Sequence, residues 1–152
     1  MVERAAVERN VQFDIIHEDN QSVLNELISG VRQYNIEHMG DEKTKPLMVV
    51  ARDRDGKTIG GVAGVTIYQN FLITVVWVDE AHRGSGLGRQ LMMQAENEAK
   101  GRDCLVAQLD TLSFQAPAFY QKMGFEIVGT VPGFAKSPAR FFMLKRYDEE
   151  TK

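Results

Sequence analysis

At 152 residues, 43% apolar and 26% charged, the chain is long enough for a core of its own and is expected to be a single globular domain, residues 1–152. A net charge of −3 argues against a nucleic-acid partner, which would want a basic face, and no apolar run approaches the roughly 20 residues of a membrane span. The single cysteine, Cys104, cannot form an internal disulfide and lies in an apolar run, so it reads as a small core residue.

The start, Met1-Val2-Glu3-Arg4, is charged and lacks the apolar centre of a signal peptide. With the unpaired cysteine, this makes the cytoplasm the expected location. After a loose beginning, residues 11–16 alternate as a first strand. Leu24, Leu27, Ile28 and Val31 then recur at helical spacing, with Asp19 or Asn20 as the cap and Gly30 weakening the second half. The following residues 34–41 mix aromatic, acidic and imidazole groups. Residues 47–52 read as a strand, Asp53-Arg54-Asp55-Gly56 as a hairpin turn, and residues 59–68 as the return strand. Gly60, Gly61 and Gly64 inside that strand suggest a bulge or a close backbone approach. Gln69-Asn70 turns the chain into a third strand ending at Val78. Here Ile73, Val75 and Trp77 alternate with Thr74, Val76 and Val78. Both faces are almost wholly apolar, so this strand belongs inside a sheet.

A polar turn follows, then Gly84, Gly86 and Gly88 at every second position, then Leu87, Leu91, Ala95 and Ala99 on one helical face. A strand, glycine loop and helix in this order can hold an anion. Glycine lets backbone N–H groups approach a ligand, and the helix start adds unpaired donors and a positive dipole end. No Lys-Ser or Lys-Thr follows Gly88, so a nucleotide-kinase loop fails. The G-x-G-x-G spacing, placed mid-chain, also departs from the dinucleotide fingerprint G-x-G-x-x-G. A glycine-rich connection without a ligand remains open from the loop alone.

Gly101 is the expected C-cap of this helix. Residues 104–109 read as a buried strand parallel to the one ending at Val78, the helix making the crossover. Asp110-Thr111-Leu112-Ser113 leads into another helix ended by Gly124. A strand at 125–128, a loop at 131–133 and a last strand at 140–146 complete the chain, and residues 148–152 are expected to fray. His17, His38 and His82 have no ligand spacing, so no metal site is expected. No G-x-S-x-G elbow supports a hydrolase.

The stretch from Val76 to Gly88 follows the pattern V-x-V-x-x-x-x-R-G-x-G-x-G and resembles the acetyl-coenzyme A loop of the GNAT N-acetyltransferase superfamily, whose core matches at Arg83, Gly86 and Gly88. Residues 113–125 are similar to the second GNAT pattern, N-x-x-A-x-x-x-Y-x-x-x-G-F. Ala116, Tyr120, Gly124 and Phe125 match it, while Ser113 replaces the common Asn. The two patterns organise residues 72–129.

The resemblance implies an α/β (α+β) fold: a mixed, mostly antiparallel sheet of about seven strands with a splayed central parallel pair and flanking helices. It implies acetyl-coenzyme A as co-substrate, with no metal. The expected cofactor contacts are Trp77, Val78, Arg83, Gly84, Ser85, Gly86, Leu87, Gly88, Arg89 and Ser113. Tyr34, Glu37 and His38 fall where the family walls its acceptor site.

Amine attack on a thioester needs an oxyanion donor, for which the Val78 amide is the candidate. It also needs an acid for the leaving thiolate, which the pattern assigns to Tyr120. A base for the ammonium is left open among Asp110, Glu37, His38 and water. The expected activity is N-acetylation of a primary amine on a small molecule. The alternatives are a protein lysine or N-terminus as acceptor, or a non-catalytic acyl-coenzyme A-binding module. Neither nucleic acid nor membrane is an expected partner, and a homodimer is an open expectation.

Overall fold

The structure, a computed structural model, describes residues 10–147. The expected fraying of residues 148–152 and the loose beginning before residue 10 lie outside the described residues. By its internal contacts the chain divides into two units, at Asp41 and Glu42.

The first unit carries α1 (Gln21–Met39), capped by Asn20, whose side chain accepts from the Val23 amide at 3.0 Å. The helix passes through Gly30 and continues to Met39, so Tyr34, Glu37 and His38 lie on it rather than after it. Residues 11–16 form no strand, contrary to their alternation. A strand exists only where a neighbour's ladder takes its N–H and C=O groups, and among the described residues none pairs with this segment.

The second unit is built on a sheet of six strands rather than about seven, the missing one being residues 11–16. They are β1 (Lys45–Arg52), β2 (Thr58–Ile67), β3 (Asn70–Val78), β4 (Val106–Leu112), β5 (Glu126–Val131) and β6 (Arg140–Arg146), in the order β1-β2-β3-β4-β6-β5. All neighbours are antiparallel except β3 and β4. The first hairpin is closed by Asp53, whose Oδ1 accepts from the amides of Asp55 and Lys57, both at 2.9 Å. The second turns at Tyr68-Gln69, both with positive φ, so Asn70 already belongs to β3 and the turn sits one residue earlier than expected.

Helix α2 (Leu87–Gly101) packs against β1, β2 and β3 and buries Leu91, Met92, Ala95 and Ala99. Gly101 is its last helical residue, not its cap; the cap is Arg102, and the left-handed conformation falls on Asp103. The chain makes the stop elsewhere: Arg102 Nη1 donates to the Pro46 carbonyl at 3.0 Å and to Thr66 Oγ1 at 3.1 Å, tying the helix end to β1 and β2. Phe71, Leu47, Met92, Met143 and Val62 are fully buried, and Cys104 is buried with them. The short α3 (Pro117–Lys122) follows β4 and ends before Gly124, which takes a left-handed φ.

Two departures from regularity open the sheet. Between β2 and β3 the register slips: Ala63 faces Val75 but Gly64 faces Ile73, which leaves Thr74 as the extra residue of a bulge. Thr74 Oγ1 donates to the Ala63 carbonyl at 3.2 Å and holds it there. A Cβ at Gly64 would overlap the Leu72 carbonyl oxygen, so only glycine permits this approach. The β3–β4 ladder covers only Asn70–Leu72 against Val106–Gln108 and stops where the bulge begins. Beyond that point β4 stays paired with β6, and the two parallel strands part.

Among the described residues, no helix is long and apolar enough to cross a membrane.

Candidate active site

The parted strands bound a cleft of about 960 Å³. Its walls come from residues 74–78 of β3, the glycine loop and first turn of α2, Asp110 and Thr111 of β4, and Phe119 and Tyr120 of α3 with Ala116 just before it. Volumes of this size suit an extended small-molecule ligand.

One wall offers backbone groups. The Asp79 amide donates to the Ile59 carbonyl at 2.8 Å, which makes residues 59 and 79 a bonded pair. Bonded and non-bonded pairs alternate along an antiparallel ladder. Gly61 and Trp77 are therefore bonded, whereas the pairs Gly60–Val78 and Val62–Val76 are not. The backbone groups of Val76 and Val78 thus turn away from β2 toward the parted side. Trp77 lines the cleft too, but its backbone is turned to β2.

The loop end is rich in donors. Gly84 and Gly86 have φ of 76° and 86°, a conformation that costs L side chains roughly 1–2 kcal/mol. Gly86 caps α2 without any side-chain hydrogen bond, so the first-turn amides from Leu87 onward are left for a ligand. Ser85 Oγ donates to the His82 carbonyl at 2.6 Å and stiffens the loop from within, while Arg83 Nε donates to the Val78 carbonyl at 3.0 Å and braces the loop against β3. Gly88 packs closely: a Cβ there would lie 3.4 Å from Phe119 Cζ.

Tyr120 of α3 lines the same cleft. It is 8% exposed, with Phe119 and Phe125 against it edge to face, at ring-centroid distances of 5.2 and 6.0 Å. Burial pushes its phenol above the ordinary value, so the hydroxyl keeps its proton. Asp110 is the one carboxylate among the described residues that line the cleft, and Arg140 Nη1 stands 3.2 Å from its Oδ2. One cleft thus offers loop amides and a helix start to an anion, outward-turned backbone groups on its β3 wall, and a protonated phenol and a carboxylate among its lining side chains.

Of the residues expected from the sequence, Trp77, Val78, Arg83, Gly84, Gly86, Leu87, Gly88, Arg89, Asp110 and Tyr120 line this one cleft. Ser85 and Ser113 do not. Ser85 braces the loop, and Ser113 is exposed, with its amide bonded to the Ala139 carbonyl at 2.9 Å. Tyr34 and His38 stack one turn apart on α1, at a centroid distance of 4.4 Å, and Glu37 is exposed beside them, all in the first unit. Sequence reasoning passed over Val76, His82 and Gln115, which also line the cleft. Val76 shares strand parity with Val78 and was open to inference. His82 and Gln115 lie within the two patterns at positions the patterns leave free. No group of three or more metal-ligating side chains gathers among the described residues.

Comparison with known proteins agrees with this geometry. The acetyltransferase (GNAT) domain family matches residues 44–127, more than half of the chain. Blasticidin-S acetyltransferase of Streptomyces morookaense is 32% identical over 107 residues, covering 68% of this chain and 79% of its own. The crystal structure of an acetyltransferase from Bacillus cereus is 32% identical, with a TM-score of 0.76 over 88% of this chain and 97% of its own. One from Agrobacterium tumefaciens is 25% identical, with a TM-score of 0.84 over 90% of this chain and all of its own. The chain thus belongs to the GNAT superfamily of acetyltransferases and is an N-acetyltransferase of the acetyl-coenzyme A-dependent type.

Proposed function

We propose that the protein transfers the acetyl group of acetyl-coenzyme A to a primary amine of a small molecule, by direct attack of the amine on the thioester. The observation that carries this is the sharing of one cleft by two devices: open amides at the α2 start and a buried, protonated phenol at Tyr120.

In this reading the pyrophosphate sits on the amides of the glycine loop and first helical turn, with Arg89 beside it. The pantetheine arm lies along β3, where Val76 and Val78 turn their backbone groups outward. The thioester then reaches the Tyr120 end. The Val78 amide donates to the carbonyl oxygen as it becomes an oxyanion, and the Tyr120 hydroxyl gives its proton to the departing thiolate. Asp110 attracts the cationic acceptor and takes its proton, directly or through water, with Arg140 fixing the carboxylate. The catalytic pair is thus Tyr120 and Asp110.

A small acceptor is supported by the relative named for blasticidin S and by the net charge of −3, which suits a cationic partner and not RNA. The unpaired, buried Cys104 suits the reducing cytoplasm. The test is a panel of small amines, polyamines, amino-nucleosides and lysine peptides, scored by release of free coenzyme A thiol. Turnover with small amines above the peptides is expected. Coenzyme A binding without turnover on any amine would overturn catalysis in favour of a binding module, and turnover confined to peptides would overturn the small acceptor.

A further inference from the structure

Ser113 stands where the family pattern has Asn, and the exposed serine lies outside the cleft. Gln115, two residues on, lines it. We propose that the Gln115 side-chain amide donates a hydrogen bond to an amide carbonyl of the pantetheine arm, the contact Ser113 is too short and too far outside to make. The inference rests on the acetyl-coenzyme A reading above.

The direction of the Gln115 amide is settled by its partners. The Leu112 backbone N–H lies 2.7 Å from Oε1, and a backbone N–H can only donate, so the atom facing it is the carbonyl oxygen. Thr111 Oγ1 donates to the same oxygen at 3.2 Å, and Thr111 is buried, which fixes its hydroxyl. The Gln115 backbone N–H in turn donates to the Leu112 carbonyl at 2.9 Å, so residues 112 and 115 clasp each other in both directions. With the oxygen thus saturated on the turn side, the side-chain NH₂ points away from the turn. Among the described residues no acceptor takes it.

Pantetheine is a chain of amides whose carbonyls need donors when the arm leaves water. The Val76 and Val78 amides stand on the β3 wall, and Gln115 supplies a donor from the wall across the parting. A donor fixed by a turn loses little rotamer freedom on binding, unlike a free surface amide.

The experiment separates this from a purely structural clasp. Gln115→Glu keeps an acceptor oxygen for Leu112 and Thr111 but removes the NH₂ donors. Calorimetry is run on wild type and Q115E with coenzyme A and with adenosine 3′,5′-bisphosphate, which has no pantetheine arm. The expected result is a loss of about three- to tenfold for coenzyme A, an unchanged affinity for the bisphosphate, and an unchanged melting temperature. Equal coenzyme A affinity in the two proteins would overturn the proposal. An equal loss for both ligands would trace the effect to the added charge and overturn it as well. Failure of wild type to bind either ligand would instead overturn the cofactor reading beneath it.

Discussion

Lys145 on β6 reaches Glu96 on α2, with Nζ 3.0 Å from Oε2, and their side chains are only 13% and 4% exposed. The two meet on charge rather than on hydrogen-bond alignment, since among the described residues neither Glu96 oxygen has a well-directed donor. Lys145 also lies 6.0 Å from the centroid of the Phe125 ring, so one ammonium links α2, β6 and the residue before β5.

Removing one member of such a pair leaves a buried charge without its counter-ion. Glu96→Ala should lower stability by about 3–5 kcal/mol. The double variant Glu96→Leu/Lys145→Met should recover most of that loss. Urea melts decide; a single variant as stable as wild type would mean that water already reaches the pair.

Gly64 is expected to be irreplaceable for the parting of β3 and β4. Gly64→Ala would drive its methyl into the Leu72 carbonyl and close or shift the bulge. A loss of roughly 3 kcal/mol, the upper end for overpacking, should accompany weaker coenzyme A binding. Native stability together with native affinity would show that the bulge does not hold the strands apart.

Gly86 takes a φ of 86°, and nothing lies within 4 Å of where a Cβ would stand. Gly86→Val therefore acts through the backbone, rotating the loop amides off their common target. Coenzyme A affinity should fall by about tenfold or more, from roughly 1–2 kcal/mol of strain plus lost amide contacts. Calorimetry beside circular dichroism tests it, and an unchanged affinity in a folded variant rules out the loop as the phosphate site.

Arg89 is exposed at the first turn of α2 and borders the cleft. Arg89→Ala should weaken coenzyme A and flatten the fall of affinity with ionic strength, because one screened charge contact has gone. Titrations at low and high salt give the two slopes, and parallel slopes would reduce Arg89 to a solvated helix residue.

Tyr120→Phe keeps the ring and removes the hydroxyl. Coenzyme A affinity should hold while kcat falls by about 10²-fold. A stability loss with unchanged kcat would mean that Tyr120 only packs. The same residue sets a pH dependence. Burial raises its folded value above 10.0, so the folded chain retains a proton that the unfolded chain releases. That contribution to stability is full below about pH 10 and declines as pH rises through the folded value. Tyr120→Phe should lose this part of the alkaline decline, which melts between pH 8 and pH 11 would measure.

Much of this protein is local, and local features are legible in a chain. The glycine spacing around Gly86, the Asp53 turn, the Asn20 cap and the Ala116–Tyr120 pattern each depend on near neighbours, so residue type and spacing carry them. What decided the rest was pairing between distant segments. Residues 11–16 alternate like a strand yet lack a ladder, because no residue type can guarantee a partner edge. The glycines of β2 hinted at a close approach, but that Gly64 meets Leu72, that Thr74 is the bulged residue, and that β3 and β4 part at that point follow from a register only the folded sheet contains. The same register turns Val76 and Val78 outward. It was the folded turn from Leu112 to Gln115, too, that set Gln115 in the cleft and left Ser113 outside it, since strand alternation no longer applies there.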